Sequence, residues 1–308
     1  MYQTQKKRHI FSKKRLKLDY QLYLLMLLPT SLILVYSYVP MFGISIALLK
    51  YFPAKGFLGS HFVGFQNFQV LFNMPGFFNA IRNTLIISLS KIVLNIVVPV
   101  IFTVLLNEIG NGFAKKSLQT IVYLPHFVSW VLLSGIFIKM LSVNGVVNRL
   151  IGLLGIEPIM FLGDNRYFRA TMVVTDVWKE FGYNTIVYLA AVSGVNQDLY
   201  EAAAIDGAGH FKQMWHVTLP AMVPIIVLMT TLNIGYILSA GFDQVFNLLK
   251  PIVMESGDIL DTLVYRIGFT SGQFGISTAA NLTKSVVSLV LIVTSYKLAY
   301  RLTGYKVF

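Results

Sequence analysis

Long apolar runs separated by short polar stretches set the pattern of this chain. Six runs are each of a length to cross a bilayer as a helix: about Tyr20 to Leu49, Asn83 to Asn107, Leu118 to Leu141, Phe168 to Val192, Ala221 to Ala240, and Thr278 to Tyr300. Pro29 and Pro40 interrupt the first, which predicts a kinked span whose outer end lies along the interface. Residues 50–80 carry Gly, Pro and aromatic residues and read as an outer loop with short interfacial helices. Asn144-Gly145, Gly155 and Gly163-Asp164 mark turns in a second outer loop. Residues 241–277 form a third, with a short helix near Asp261–Ile267. The pattern predicts an all-α integral membrane protein: a basic tail over 1–19, a six-span domain over 20–300, and a short tail over 301–308.

Composition agrees. The chain is 56% hydrophobic and 12% charged, against roughly 25% charged residues in soluble domains. The net charge of +12 permits a nucleic-acid partner, but lysines and arginines flanking membrane spans explain it better. The N-terminal tail, the Lys115-Lys116 loop and the end with Lys297, Arg301 and Lys306 concentrate positive charge, which puts them and both termini in the cytoplasm. Lys50, Lys55, Arg149, Arg166, Lys250 and Arg266 in the outer loops weaken the asymmetry without reversing it. The first apolar run is too long for a signal-peptide core and lacks a small-residue cleavage pattern, so it is expected to stay as a span.

Chemistry-bearing motifs are missing. There is no phosphate-binding Gly-x-x-x-x-Gly-Lys-Ser/Thr run, no Gly-x-Ser-x-Gly elbow, no cysteine and no metal-ligand spacing among His9, His61, His126, His210 and His216. The chain is not expected to be an enzyme by itself or to hold a metal or other cofactor.

One polar island, residues 194–220, stands between the fourth and fifth spans and falls on the cytoplasmic side. Glu201-Ala202-Ala203-Ala204 suits a short helix with an acid near its start. Gly207 and Gly209 permit a turn that residues with side chains resist. Phe211, Met214 and Trp215 mark a second short amphipathic segment, and Pro220 a first-turn proline of the next helix. The island reads as a helix-turn-helix gripped by another protein, with Glu201 as a cap or ion-pair partner and Phe211 with Trp215 filling an apolar notch.

Charged residues inside spans are the second signal, because a charge at mid-depth costs about 2.5–3.5 kcal/mol or more. Lys91, Asp176, Lys179, Glu180 and Lys284 are of this kind. Asp176, Lys179 and Glu180 share a face of the fourth span and are candidates to pair with each other or with Lys284. Two readings stay open: a self-neutralising interhelical cluster, or a polar wall of a translocation path. Trp178, Tyr183, Asn184, Tyr188, Asn233 and Asn281 add aromatic faces, amides and hydroxyls that suit sugars, or that pack helices. Phe57, Phe65, Phe68, Gly241-Phe242-Asp243-Gln244 and Arg266 in the outer loops are candidates for docking an outer protein, or for an interfacial belt.

Glu201-Ala202-Ala203, Asp206-Gly207-Ala208 and Val217-Thr218-Leu219-Pro220 resemble the EAA loop of permease subunits of binding-protein-dependent ABC importers. Tyr123-Leu124-Pro125-His126-Phe127-Val128-Ser129-Trp130, Val63-Gly64-Phe65-Gln66-Asn67-Phe68 and Trp178-Lys179-Glu180 are similar to the branch that imports polysaccharide-derived oligosaccharides, aldouronate-type systems included. The family commonly has Phe where Met214 stands. The resemblance implies a six-helix type I importer (MetI-like) architecture, a second and non-identical permease subunit, and two cytoplasmic ATPase subunits that bind ATP and magnesium. It further implies a lipid-anchored extracellular binding protein, a Gram-positive cell membrane, and a joint with the ATPases at Glu201, Ala202, Ala203, Asp206, Gly207, Ala208, Phe211, Met214, Trp215, Leu219 and Pro220. Rival readings are an ion-gradient-driven transporter and a membrane docking or sensor subunit.

Overall fold

The computed structural model of this chain describes residues 20–110 and 112–303. The basic tail 1–19 and the last five residues of the C-terminal tail, both expected in the cytoplasm, lie outside the described residues. The described chain is almost wholly helical, with one two-residue antiparallel pair, β1 (Leu49–Lys50) against β2 (His61–Phe62).

Among the described residues, four helices are long and apolar enough to cross a membrane: Tyr20–Leu48, Phe77–Glu108, His210–Ile234 and Phe274–Lys297. The first begins as α1 (Tyr20–Ile33), passes through a π segment at Leu34–Tyr38 and tightens to 3-10 geometry over Val39–Leu48. A short helix α2 (Gln66–Phe72) leads to α3 (Phe77–Glu108), which carries Pro99 internally.

The expected third span is not straight. It is α4 (Phe113–Tyr123) with a 3-10 turn to Phe127, then α5 (Trp130–Met140), and the two halves meet at 103°. Pro125 sits in the 3-10 turn, and Ser129 restarts the helix as its N-cap by accepting the Leu132 N–H. A backbone opened at this point is tolerated because its polar groups find partners within the protein.

After the short α6 (Val146–Gly152) comes α7 (Asn165–Ser193), capped by Asp164. At 29 residues it has the length of a span, yet it is more polar than the four apolar helices. It is central instead: α3 and α7 make the most extensive helix pair. Its threonines turn back on the helix, Thr175 to the Thr171 carbonyl at 2.7 Å and Thr185 to that of Phe181 at 2.7 Å, so polar residues are buried without orphaned hydroxyls. Gly182 lets α4 approach so closely that an added Cβ would lie 2.0 Å from the Val122 carbonyl oxygen.

Residues 194–220 hold α8 (Gln197–Ile205) and α9 (His210–Gln213). Here the expectation of a separate amphipathic segment is corrected. The helix runs unbroken from His210 to Ile234, through a π turn at Met214–Thr218 into α10 (Leu219–Ile234). Pro220 lacks an N–H for the carbonyl four residues earlier, and the wider π turn absorbs that mismatch without ending the helix.

A larger correction concerns residues 241–277. They hold the short helix expected near Asp261–Ile267, but they are not an exposed loop. α11 (Phe242–Leu248), α12 (Met254–Gly257) and α13 (Leu260–Tyr265) fold back into the bundle before α14 (Phe274–Thr303). Val245, Leu248, Val253 and Ile259 join Phe168, Met172 and Val177 in one core, and Leu260, Leu263 and Ile267 join Leu71, Phe77 and Ala80 in another. Polar anchors fix the segment: Asn83 donates to the carbonyls of Glu255 and Asp258, and Arg266 pairs with Asp258 at 2.6 Å.

Candidate functional site

Two regions carry the polar residues that the sequence singles out. The first is a cavity of about 170 Å³ among α3, α7 and the end of α10, lined by Ser88, Lys91, Asn95, Asp176, Asn233 and Tyr236. Lys91 is buried and donates to Asp176 at 2.9 Å, to the Ala240 carbonyl at 2.8 Å and to Gln244. Gln244, wholly buried, passes the network on to the Met172 carbonyl and Thr175 Oγ1, both at 2.8 Å. The second Asp176 oxygen accepts from Asn95 at 3.0 Å. Gly241 closes the wall with φ +91, and a Cβ there would come within 3.0 Å of Lys91 Nζ. The buried charge is thus neutralised and held by hydrogen bonds, as burial requires. Ser88 Oγ is buried without a hydrogen-bond partner among the described residues.

The charged face of α7 divides. Asp176 turns to α3, whereas Lys179 and Glu180 turn to His126 in the bend between α4 and α5. Lys179 donates to the His126 carbonyl and to Glu180 Oε1, each at 2.8 Å, and His126 Nδ1 lies 2.6 Å from Glu180 Oε2. Tyr183 stacks flat on His126 at 3.8 Å, and Lys179 sits over the Trp130 ring. Lys284 does not reach this group. It pairs with Asp261 on α13 at 2.5 Å, so of the two pairings open to the charged face of α7, Lys179 with Glu180 is made and the one with Lys284 is not.

The other candidates scatter. Asn184 lies 3.5 Å from Asn95, beside the cavity that Asn233 lines. Trp178 is exposed, packs edge-on against Phe137 at 5.6 Å, and lines an apolar groove of about 500 Å³ between α5 and α7. Tyr188 is buried in a separate apolar core with Val100, Val192 and Met222. Asn281 is exposed on α14, away from the cavity lining. Of the outer-loop docking candidates, Gln244 is buried and Arg266 is held by Asp258. Ser88, Asn95 and His126 belong to these sites but were not singled out. An Asn four residues beyond Lys91, and His126 within Tyr-Leu-Pro-His-Phe-Val-Ser-Trp, were the available signals.

The second region is the turn after α7. Asn196, not Glu201, caps α8: its side chain accepts the Asp198 N–H at 3.1 Å. Glu201 is exposed, and no hydrogen bond or ion pair is found for its side chain among the described residues. Gly207 ends α8 with φ +78, its N–H bonding the Ala204 carbonyl at 3.0 Å and the Ala208 N–H that of Ala203 at 2.9 Å. This is a Schellman stop, which requires the left-handed conformation at Gly207. The turn is braced on both sides. Tyr200 OH meets buried Thr218 at 3.0 Å, Gln213 donates to the Ala208 carbonyl at 3.0 Å, and His210 lies 3.1 Å from Glu108 at the end of α3. Ile205, Phe211 and Trp215 stand out from this rigid projection, 87%, 74% and 61% exposed, with Met214 and Leu219 half-buried behind them.

The family profile of the binding-protein-dependent transport system inner membrane component matches residues 95–242. The polygalacturonan/rhamnogalacturonan transport system permease protein YteP of Bacillus subtilis is 42% identical over 298 residues, covering 94% of this chain and 93% of that protein. Protein LplB of the same organism is 42% identical over 278 residues, covering 90% and 87%. A chain of a bacterial ABC transporter involved in the import of the acidic polysaccharide alginate superposes with a TM-score of 0.86 at 34% identity, over 94% of this chain and 98% of that one. A chain of the alginate transporter in complex with an alginate pentasaccharide-bound periplasmic protein superposes with a TM-score of 0.87.

Proposed function

The chain belongs to the family of binding-protein-dependent transport system inner membrane components, and from that premise we propose that it is the transmembrane permease subunit of an ATP-driven oligosaccharide importer. Its cargo arrives on an extracellular binding protein. A second, non-identical permease completes the membrane pathway, and two cytoplasmic ATPase subunits, which bind ATP and magnesium, drive it. The names of YteP and of the alginate transporter support oligosaccharides from acidic polysaccharides as the cargo class, and the Bacillus organism of YteP supports a Gram-positive cell membrane. The basic residues near both chain ends support cytoplasmic termini.

The observation that carries this reading is the braced projection of α8 and the start of the following helix. Exposed apolar side chains stand on both arms of a fixed turn, Ile205 at the end of α8 and Phe211 and Trp215 at the start of the next helix, and the turn is tied to α3 and to the helix entering the membrane. Such a body transmits displacement without deforming. ATPase closure would move this projection through Ile205, Phe211 and Trp215, and the Glu108, Tyr200 and Gln213 contacts would pass that motion to the spans. Glu201, Ala202, Ala203, Asp206, Gly207, Ala208, Met214, Leu219 and Pro220 give the projection its shape. The cavity at Ser88, Asn95, Asp176, Asn233 and Tyr236, with Asn184 beside it, supplies amides, a carboxylate and hydroxyls, which suit a hydroxyl-rich cargo.

The test is uptake into proteoliposomes holding the full complex. Sugar entry that needs ATP and survives collapse of ion gradients supports the reading. Entry that survives ATP removal and stops with the gradient rejects it in favour of an ion-coupled transporter. A complex that binds its partners yet moves no sugar rejects it in favour of a docking subunit.

A further inference from the structure

The polar cavity among α3, α7 and the end of α10 is lined by one cation and one anion, Lys91 and Asp176, which neutralise each other at 2.9 Å. An ammonium has three N–H donors, and Asp176, the Ala240 carbonyl and Gln244 take all three from Lys91. Asn233 Nδ2 donates to the Met229 carbonyl at 2.8 Å, which leaves its Oδ1 as an acceptor without a partner among the described residues. Asp176 accepts one bond on each oxygen, from Lys91 and from Asn95, and a carboxylate has room for about four. Ser88 Oγ faces the same cavity, 2% exposed and without a hydrogen-bond partner among the described residues. Other buried hydroxyls of α3 are satisfied: Thr84 and Thr103 each bond the carbonyl four residues back at 2.7 Å. Ser88 does not, and a buried hydroxyl left unpaired is costly.

We propose that this cavity binds one neutral pyranose ring of the cargo through its hydroxyls and excludes a uronate ring. The inference rests on the import reading above and narrows it, since a mixed oligosaccharide would present its neutral rings here. Sugar hydroxyls both donate and accept. They can donate to the open positions of Asp176 and to Asn233 Oδ1, and accept from Ser88. Ile92 offers an apolar face to the ring's C–H groups. A carboxylate only accepts. In this cavity it would find the Lys91 donors already taken and would stand against Asp176, one unpaired charge beside another of the same sign where little water screens them. The size fits the same reading. A cavity of about 170 Å³ is smaller than the roughly 300–1,000 Å³ of pockets for drug-sized ligands, and leaves room for a single ring.

The probe is the disaccharide of rhamnose and galacturonic acid, which joins a neutral ring to an acidic one, offered to the purified full complex in detergent without ATP. Saturation-transfer NMR reads the two rings separately, and the difference between wild type and Ser88→Ala isolates this cavity. Rhamnose protons are expected to dominate that difference, and the variant's Kd for the disaccharide to rise by roughly 2- to 10-fold, as for one lost hydrogen bond. Digalacturonate, which has no neutral ring, should give no difference. Dominant galacturonate protons overturn the proposal, as does a digalacturonate difference equal to that of the mixed probe. Identical spectra from both proteins also overturn it and leave the cavity to water. Melting adds a readout that a merely structural serine would move the other way: Ser88→Ala removes an orphaned hydroxyl and should melt no lower than wild type. A clear fall in midpoint means that the hydroxyl is satisfied inside the protein, and overturns the proposal. Proteoliposome uptake tests the import reading separately. A complex that moves no sugar but gives the rhamnose difference loses that reading and keeps the site.

Discussion

Replacing Lys91 with Met tests the polar clamp that joins α3, α7 and the infolded segment 241–277. Met preserves the length and apolar stem of the side chain and deletes the ammonium. Three acceptors lose their donor at once: Asp176 at 2.9 Å, the Ala240 carbonyl at 2.8 Å, and Gln244. The two side chains of the ion pair are only 8% and 15% exposed, so water does not replace the lost partner freely. Removing one member of a buried pair costs about 3–5 kcal/mol. The unfolded chain in a membrane also finds polar partners, which places the expected loss at the lower end, about 3 kcal/mol. For a chain of this size that is a fall in midpoint of roughly 5–10 °C. The assay is thermal unfolding of the purified subunit in detergent, followed by monodisperse fraction and by circular dichroism. The double variant Lys91→Met with Asp176→Leu removes both charges and is expected to recover at least about half the loss, because the penalty lies in the abandoned charge and not in the missing attraction. A Lys91→Met protein that melts within about 1 °C of wild type refutes the reasoning, and so does a double variant no better than the single.

The remaining predictions concern backbone geometry. Gly207→Pro cannot adopt φ +78 and loses the N–H that bonds the Ala204 carbonyl, so it should uncouple ATP hydrolysis from sugar uptake while the subunit still inserts and assembles; normal uptake by this variant removes the coupling role. Gly182→Ala forces a methyl group against the Val122 carbonyl oxygen, and is expected to lower stability by about 1–3 kcal/mol through separation of α4 from α7, read as a lowered midpoint with unchanged ligand specificity.

Much of the turn after α7 is legible in the sequence. Glu201-Ala202-Ala203 and Gly207 encode a short helix and its stop through local backbone chemistry alone, and the Schellman bonds at Gly207 realise it. The cap at Asn196 is equally local, an asparagine immediately ahead of the helix. The membrane site was less legible. Asp176, Lys179 and Glu180 share a sequence spacing, yet they serve two separate networks, because partners on α3 and in the α4–α5 bend lie on different sides of α7. Sequence spacing places side chains on a helix face; it does not say which neighbour that face meets.

The chain by itself determined its apolar spans, its helical character and the turn at Gly207. These depend on the transfer free energy of a stretch of residues and on backbone conformations that only some residues adopt. Tertiary structure alone decided the rest. It set Lys91 against Asp176, 85 positions away, gave Lys284 to Asp261, bent the third span by 103°, and drew residues 242–267 into the core. Val245, Leu248 and Ile259 have the same hydropathy whether they face an interface or a core. What settles their place is the set of complementary surfaces and hydrogen-bond partners, such as Asn83 for the carbonyls of Glu255 and Asp258, that exists only once the helices have packed.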